Sequence, residues 1–403
     1  MKVELAFDLS ANGVGNWFTL DDATKGKLDN TSFKLAGDVL VDVTDTVRQV
    51  NVRRGRSRTL ERFTAGVASI TMSNLDRRYD PLYAAGPYYG QIVPRKQVKI
   101  TMGDQPVFVG NVENWSWDYD IGGDAVATVQ AVDGFATLAQ AVAPAGTAVT
   151  TTPGARISAV LDAAGWPATQ RSIATGVSTL ANDVVSENTN ALNYIQQVEL
   201  SEPGAFFIAA DGAATFLSRD DLENPGDSLT SFGPSGIPFV EYQAASLTEE
   251  MKNKVSVTWP SGAGVGGTVT SQDTASQAAY GLFDVSYDTL LANSTQAQSL
   301  ADYLVGRYAT PKYRVDSVTL ALHGLGQADQ NTVLALELGD VTTVNWTPNG
   351  LGSPIDQPVV IDAIEHRAAP FEHFVTLTMS ETVAAFVLDD PIWGLLDQNI
   401  LGY

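Results

Sequence analysis

The sequence contains no cysteine and only three histidines among its 403 residues. The missing cysteines exclude disulfides, thiolate nucleophiles and cysteine-ligated zinc. Any Ser-His-Asp arrangement would have to use His323, His366 or His373, and no G-x-S-x-G elbow is present. The sequence therefore does not predict nucleophilic hydrolysis.

Long apolar runs are also missing. No stretch approaches the roughly 18 apolar residues of a membrane helix. The start, MKVELAFDLS, carries acids where a signal peptide has its apolar core, so we predict neither a signal peptide nor a membrane span. Charged residues make up 17% of the chain and apolar residues 44%, which indicates globular domains rather than disorder.

Positive charge is scarce and unevenly distributed. The net charge is −22, but residues 48–99 hold eleven basic and three acidic side chains, a local net charge of +8. The remaining residues together carry −30. A pI near 4.3 argues against a protein that wraps duplex DNA, because such proteins need a broad cationic face. This uneven charge distribution predicts that the cationic segment contacts an acidic surface.

Alternating apolar and polar residues predict a mainly β (α+β) fold, with two related β-barrel or sandwich domains and a small α/β domain between them. Helices are expected over 153–165, 190–201 and 294–308, where caps and helical spacing coincide. Strands are expected at the other apolar runs, including 333–346. The predicted boundaries are 1–144 for an N-terminal segment plus the first β domain, 145–243 for the α/β domain, 244–382 for the second β domain and 383–403 for a C-terminal extension.

A short repeat links the first and last β domains. Residues 106–113 and 358–365 share the pattern Pro, three apolar residues, two others, an apolar residue and Glu, at an offset of 252 residues. Each segment is followed by a turn and another alternating strand. The match is either chance similarity between two amphipathic strands or the trace of a duplicated β domain.

Three features of the sequence bear on possible chemistry. The run 262–267 satisfies G-x-G-x-x-G, but no amphipathic helix follows to hold a pyrophosphate, so we predict a surface loop and no cofactor. Glu365-His366 and Glu372-His373 bracket a turn, but strand alternation separates each Glu from its neighbouring His, so no metal is predicted. A glycosidase needs two carboxylates, which the 46 Asp and Glu residues could supply, but no sequence feature identifies a particular pair.

Trp115, Trp117 and Tyr119 lie at i, i+2 and i+4, so an extended strand projects all three from one face. This face could stack on sugar rings or on a partner protein, or it could pack in the core or between domains. The Asn74–Asp80 loop could coordinate a cation, although a structural turn with side-chain to backbone bonds is favoured.

The arginines of the cationic segment have three interpretations. A nucleic-acid patch is disfavoured because no aromatic residues are interleaved for base stacking, and a solvated strand face is the ordinary alternative. An interface in which arginines pair with acids of a neighbouring subunit fits better. The residues predicted for this interface are Arg48, Arg53, Arg54, Arg56, Arg58, Arg62, Arg77 and Arg78.

The order of motifs in residues 41–81 resembles one known family. An arginine-glycine-arginine run, a strand and N-x-D-x-x-Y-D-P follow one another there, and GPYYGQIVPRKQVKI, PVFVGNVENW and VQAVDGFATLA come next. Together with LDDPIWGLLDQNILGY at 388–403, these blocks resemble the minor tail proteins (tail-tip or baseplate hub proteins) of long-tailed actinobacteriophages. They are also similar to the hub proteins of contractile tails.

The resemblance implies a homotrimer whose two β-barrel domains per subunit form a pseudo-sixfold ring between a hexameric tail tube and tip or receptor-binding components. It implies tail tube proteins, the tape measure protein and other minor tail proteins as partners, with genomic DNA passing through unbound. The expected location is the virion tail tip, after assembly in the host cytoplasm. The expected role is structural and not enzymatic, without cofactors. The alternatives are a carbohydrate-binding tip protein, which would use Trp115, Trp117 and Tyr119, and a wall-degrading glycosidase.

Overall fold

The structure is a computed structural model, and the residues it describes are 1–7, 24, 39–58, 61–223, 228–246, 250–260, 266–311 and 313–382. The predicted C-terminal extension, most of the N-terminal segment before residue 39 and the start of the 262–267 run lie outside these residues. Within the described ranges, no helix is both long and apolar enough to cross a membrane.

The first region is built from antiparallel strands. Its elements are β1 (Lys2–Phe7), β2 (Val39–Asp42), β3 (Val47–Gly55), β4 (Thr64–Ser73), β5 (Gln97–Met102), β6 (Gln105–Tyr119), β7 (Ala125–Val132) and α1 (Phe135–Leu138). The strands pair in the order β2-β1-β5-β6-β7-β4-β3. In β4, Ala68, Ile70 and Met72 are buried on one face, as the alternation in the sequence predicts.

The middle region is a small α/β unit, as predicted. Its elements are β8 (Gly146–Ala148), α2 (Pro153–Ala163), β9 (Arg171–Ile173), β10 (Asp183–Val185), α3 (Ala191–Ser201), β11 (Ala205–Ile208), β12 (Ala214–Leu217), α4 (Arg219–Glu223) and β13 (Ser231–Phe232). The side chain of Thr152 caps α2 and that of Asn190 caps α3, each accepting from the amide three residues on. Buried residues of both helices, such as Val160 and Ile195, join the main hydrophobic core.

The last region returns to strands. Its elements are β14 (Glu241–Ala245), β15 (Lys254–Trp259), β16 (Gly267–Gln272), α5 (Thr274–Tyr280), β17 (Asp284–Asp288), α6 (Ser294–Tyr308), β18 (Arg314–Ala321), α7 (Gln327–Leu334), β19 (Val341–Trp346), β20 (Ile355–Ala369) and β21 (Glu372–Glu381). The strands β16-β15-β17 form a separate sheet, which packs with α6 around Val255, Val257 and Leu300. The strand β16 begins at Gly267, the last residue of the 262–267 run, and the predicted surface loop itself lies mostly outside the described residues.

One predicted strand was wrong over its first half. The expected strand 333–346 is present only as β19, because Val333 and Leu334 end α7 and a turn follows. In that turn the amide of Glu337 donates to Asp340 Oδ2 at 2.8 Å, and Gly339 has a φ of +90°. The apolar alternation there arises because Leu336 and Leu338 are buried in a turn rather than in a strand.

Two five-strand units repeat the same architecture. The first unit pairs in the order β3-β4-β7-β6-β5, and the second pairs in the order β14-β18-β21-β20-β19, antiparallel throughout. In both units the first and second strands of the spatial order are also the first and second along the chain, and the remaining three occur along the chain in the reverse of their spatial order. The mainly β fold with two related domains is thus confirmed, although within the described residues the strand path stays open rather than closing into barrels.

Corresponding residues of the two units can be assigned from strand register. In each unit one row of opposed residues crosses four strands and ends directly after a bulge on the long strand. The rows are Asn51, Ser69, Gln130 and Asn114 in the first unit, and Gln243, Ser317, Thr378 and Ala363 in the second. The structure thus supports the duplicated-domain interpretation, but the sequence pattern aligned the long strands three residues out of register, since Pro106 corresponds to Ile355 and not to Pro358.

Candidate functional site

The arginine-rich strand β3 lies inside the large sheet, between β4 and β20. Val50 and Val52 are buried on its inner face, so the residues between them point outward. Its pairing with β20 runs from Val50 opposite Ala368 to Gly55 opposite Ala363. Because β3 belongs to the first unit and β20 to the second, this pairing connects the two units, and we call it the internal joint.

Gly55 permits the close approach at one end of the internal joint. Its φ is +112°, and a Cβ on it would lie 2.2 Å from the carbonyl oxygen of Asp362. The amide of Arg56 donates to that same oxygen at 2.9 Å. Only glycine satisfies both the backbone conformation and the contact.

Two buried ion pairs reinforce the internal joint. Arg54 Nη1 lies 2.6 Å from Glu337 Oε1, and the Arg54 side chain is 3% exposed. Arg56 Nη2 lies 2.7 Å from Asp362 Oδ1, and its Nε donates to the same oxygen at 2.9 Å. The Arg56 guanidinium also lies over the Phe63 ring, 4.7 Å from its centroid. Two of the arginines predicted for a subunit interface therefore bind acids of their own chain.

The other arginines of this segment lie nearer the surface. Arg48 forms two hydrogen bonds with the carboxylate of Asp124, at 2.6 and 2.8 Å. Arg53 lies on the outward face of β3, and Arg58 and Arg62 are exposed beyond its end. These three side chains are wholly or partly exposed, and the subunit-interface prediction stays a prediction for them and for the partly exposed Arg48, Arg77 and Arg78.

The Asn74–Asp80 loop is organised by its own side chains. Asn74 is fully buried, and its Oδ1 accepts from the Tyr79 amide at 3.0 Å. Arg77 Nη2 lies 2.6 Å from Asp80, and Arg78 pairs with the acid two residues before it. No group of three or more His, Asp or Glu side chains in the described ranges is placed to hold a metal ion. These bonds are those of a structural turn.

The aromatic face on β6 is largely covered by the loop before β5. Trp115 is 7% exposed and donates to the Val93 carbonyl at 3.3 Å, and Trp117 donates to the Tyr79 carbonyl. The two indoles stack with centroids 6.5 Å apart. Tyr119 is 48% exposed, so a ligand that stacks on this face meets Tyr119 first.

All three histidines meet at the far end of β20 and β21. His366 Nδ1 lies 3.2 Å from His373 Nε2, and the His373 amide donates to His323 Nδ1 at 3.2 Å. Burial lowers the pKa of His366 well below its ordinary value and that of His373 to about 4, so both rings are neutral at pH 7. Glu365 and Glu372 are exposed on the opposite face, as strand alternation predicts.

A cavity of about 120 Å³ adjoins the internal joint where all three regions meet. Arg56, Arg62, Glu199 and Arg307 line it. Burial raises the pKa of Glu199 to about 7, and its Oε2 has no hydrogen-bond partner among the described residues.

Sequence reasoning missed the two acids that meet the buried arginines. The sequence pattern places Glu337 in a predicted strand and Asp362 at one polar position of an apolar strand. A buried acid in the run VVIDAI is itself a signal, because an ionised carboxylate is tolerated inside a protein only when it is paired. Its partner, 306 residues away in sequence, could not be identified from that signal.

Known proteins share this fold at low sequence identity. No family model matches the chain, and no curated protein sequence matches it. A tail protein from Neisseria meningitidis is 11% identical, with a TM-score of 0.61 over 89% of this chain and 95% of the other. The 43 kDa tail protein of prophage MuSo2 from Shewanella oneidensis is 12% identical, with a TM-score of 0.57 over 86% of this chain and 96% of that one.

A third structure extends the likeness beyond phage. The E. coli c3393 protein, a type VI secretion component described as structurally similar to the T4 tail proteins gp27 and gp5, is 9% identical. Its TM-score is 0.50 over 83% of this chain and 73% of that one. The chain therefore has the fold of phage tail proteins and of gp27-like hub proteins, as the sequence resemblance implied.

Proposed function

We propose that the chain is a structural component of a bacteriophage tail tip, forming a hub ring between the tail tube and the tip or receptor-binding components. The repeated five-strand unit carries the proposal, because a chain with two similar units lets a ring match another ring with twice as many subunits. Three copies would present six similar units to a hexameric tube. The tail-protein fold over most of the chain supports the same role.

The charge distribution suits a passage for DNA. Residues outside 48–99 carry a net charge of −30, and acids lining a channel repel phosphate, so genomic DNA would pass without being retained. Arg54 and Arg56 are neutralised inside the internal joint. The cationic segment therefore offers less positive surface to DNA than its composition suggests.

The proposed partners are tail proteins. Arg53, Arg58 and Arg62 are wholly or partly exposed and are suited to acidic surfaces on the tail tube, the tape measure protein or another minor tail protein. The protein would assemble in the host cytoplasm and stay in the virion at the tail tip. This role is structural and requires no catalysis.

The test is a phage from which this coding sequence is deleted, with the chain supplied in trans. We expect particles without functional tails in its absence, full tails on complementation, and three copies at the distal end of the tube by electron microscopy. Infectious particles with complete tails in the absence of the chain would overturn the proposal.

A surface groove favours a second candidate function, carbohydrate binding at the tip. The groove, about 750 Å³, includes Trp117, Tyr119, Arg77 and Asp120 in its lining, which combines ring faces with hydrogen-bonding groups. In this case Tyr119→Ala would lose affinity for purified host wall glycans. Tyr280→Ala, at a similarly exposed tyrosine elsewhere, is the matched control, and equal binding by both variants would exclude the groove.

A further inference from the structure

The two five-strand units use their first strands differently. In the first unit, one side of β3 pairs with β4 and the other side forms the internal joint with β20. In the second unit the corresponding strand is β14. It pairs with β18 on one side, and no described residue pairs with its other side.

The long strands β20 and β6 also differ. The edge of β20 pairs with β3, whereas the corresponding edge of β6 has no strand partner within the described ranges. On the side facing away from β21, β20 pairs with β19 over 355–360 and with β3 over 363–368. The corresponding strand β6 pairs with β5 up to Asn111, and Val112 bonds the backbone of the two residues before β5. From 114 to 119 that side of β6 has no strand partner within the described ranges.

The two open edges correspond to the two halves of the internal joint. Asn114 occupies the position of Ala363, directly after the bulge, so residues 114–119 correspond to the part of β20 that receives β3. Both open edges present exposed residues, including Asn114, Ser116 and Asp118 on β6 and Glu241 and Gln243 on β14. Unpaired strand edges are templates for adding a strand from another chain.

We propose that copies of this chain join when β14 of one copy adds, antiparallel, to residues 114–119 of β6 in the next copy. This contact repeats the internal joint between subunits. It uses two different surfaces, so successive copies add head to tail and close into a ring when the rotation permits. The inference rests on the proposed function in that its partner is a second copy in the hub ring.

The register of this subunit joint follows from the internal one. Asn51 opposes Arg367 in the internal joint. The row assignment makes Gln243 the counterpart of Asn51 and Asp118 the counterpart of Arg367. Gln243 of one copy should therefore lie opposite Asp118 of the next.

The subunit joint would lack the buried ion pairs of the internal one. The counterpart of Asp362 is Glu113, which is exposed and lies 3.3 Å from Arg95 of its own chain. The positions after Gln243 on β14 are alanines, where β3 carries arginines. Backbone hydrogen bonds and neighbouring side chains would hold the copies together, so the contact can form late, during tail assembly.

Disulfide trapping tests the register, and the natural absence of cysteine makes every introduced pair unambiguous. The test variant carries Gln243→Cys with Asp118→Cys. Asn51→Cys with Arg367→Cys is the positive control, because these residues oppose each other within one chain. Gln243→Cys with Ser286→Cys is the negative control, because Ser286 is exposed on β17, another edge strand. Each variant is oxidised as purified chain and in tails assembled by complementation.

We expect the test variant to form interchain disulfides that end at a closed ring, at least tenfold more than the Ser286 control, and the positive control to close within one chain. Complete tails in which the positive control closes but residues 243 and 118 stay reduced would overturn the subunit joint while leaving the hub function intact. A test variant that stays monomeric and reduced, in solution and in tails, would overturn it equally. The hub function is tested separately, by whether the deletion phage makes complete tails without the chain.

Discussion

The two five-strand units share their strand order and residue rows, yet their first strands differ in chemistry. The first strand of the first unit, β3, reads VRQVNVRRG, whereas that of the second, β14, reads EYQAA. Arg54, Arg56 and Gly55 connect this end of the first unit to the second through buried ion pairs and a close backbone contact. The same geometry without those residues leaves β14 available for a separable contact.

The difference shows how one duplicated fold can serve two purposes. A buried ion pair adds little net stability over an apolar pair but is costly to break once formed, so it specifies one partner. That property suits a joint formed once, when the chain folds. A strand edge that binds another subunit only during assembly can do so through backbone hydrogen bonds alone, because its unpaired N–H and C=O groups stay exposed until then.

The largest expected effect comes from breaking the internal joint at its glycine. Gly55→Ala adds a Cβ that would overlap the Asp362 carbonyl, in a backbone conformation that alanine disfavours. We expect a loss of about 5 kcal/mol or more in the free energy of unfolding, measured by urea denaturation.

The matched control for this substitution is Gly146→Ala. Gly146 has a φ of +114°, almost that of Gly55, but nothing lies within 4 Å of its added Cβ. It should cost about 1–3 kcal/mol, from the backbone conformation alone. Equal losses for the two variants would show that the internal joint does not need the close approach.

The next effect concerns the buried pair of Arg56 and Asp362. Arg56→Ala leaves a carboxylate that is 2% exposed without its cation, so we expect a loss of about 3–5 kcal/mol by the same measurement. The double variant Arg56→Met/Asp362→Leu should recover much of it. Arg48→Ala, which removes an exposed pair, should change stability little. A larger loss for Arg48→Ala than for Arg56→Ala would contradict the assignment of β3 to a fixed joint.

The histidine pair makes one end of the second unit sensitive to acid. Because the pKa of His366 and that of His373 are lowered in the folded state, the unfolded chain binds more protons below pH 6.5. Stability from these groups is complete above that pH and is lost as the pH falls towards 4. For His373, whose pKa falls to about 4, this amounts to about 3 kcal/mol.

The measurement is the difference in unfolding free energy between wild type and His366→Gln/His373→Gln from pH 7.5 to 4. A difference is required because burial raises the pKa of Asp133 and that of Glu199 to about 7, and these two acids favour the folded state at low pH instead. Wild type should lose stability relative to the variant as the pH falls. Parallel curves would contradict the shifts.

Much of the fold could be predicted from sequence because it is local. Strand alternation and helix caps such as Thr152 and Asn190 depend on neighbouring residues, and they identified strands and helices. The Pro106 repeat identified the duplication of the β domain. The repeat missed the register by three residues, because it matched Glu113 with Glu365, whereas the two bulges make Glu113 the counterpart of Asp362, and the sequence pattern does not mark a bulge.

The candidate site was predictable only in part, since its contacts are long-range. Local charge counting identified the arginine-rich segment, but it could not identify which of its arginines form ion pairs with acids of the same chain. Arg54 and Glu337 are separated by 283 residues, and no spacing rule connects them. Likewise, Trp115 and Trp117 share a strand face as predicted, but the loop that covers them is set by tertiary packing.

The smallest expected effect on stability separates the two kinds of arginine. Arg53→Glu/Arg58→Glu/Arg62→Glu changes side chains that are wholly or partly exposed, so the free energy of unfolding should shift by less than about 1 kcal/mol. If these arginines meet acids on neighbouring tail proteins, the variant should nevertheless fail to complement the deletion phage, and wild-type contacts should weaken with added salt. Full complementation by the stable triple variant would remove the arginines from the assembly interface and leave β14 and β6 as the edges that join one copy to the next.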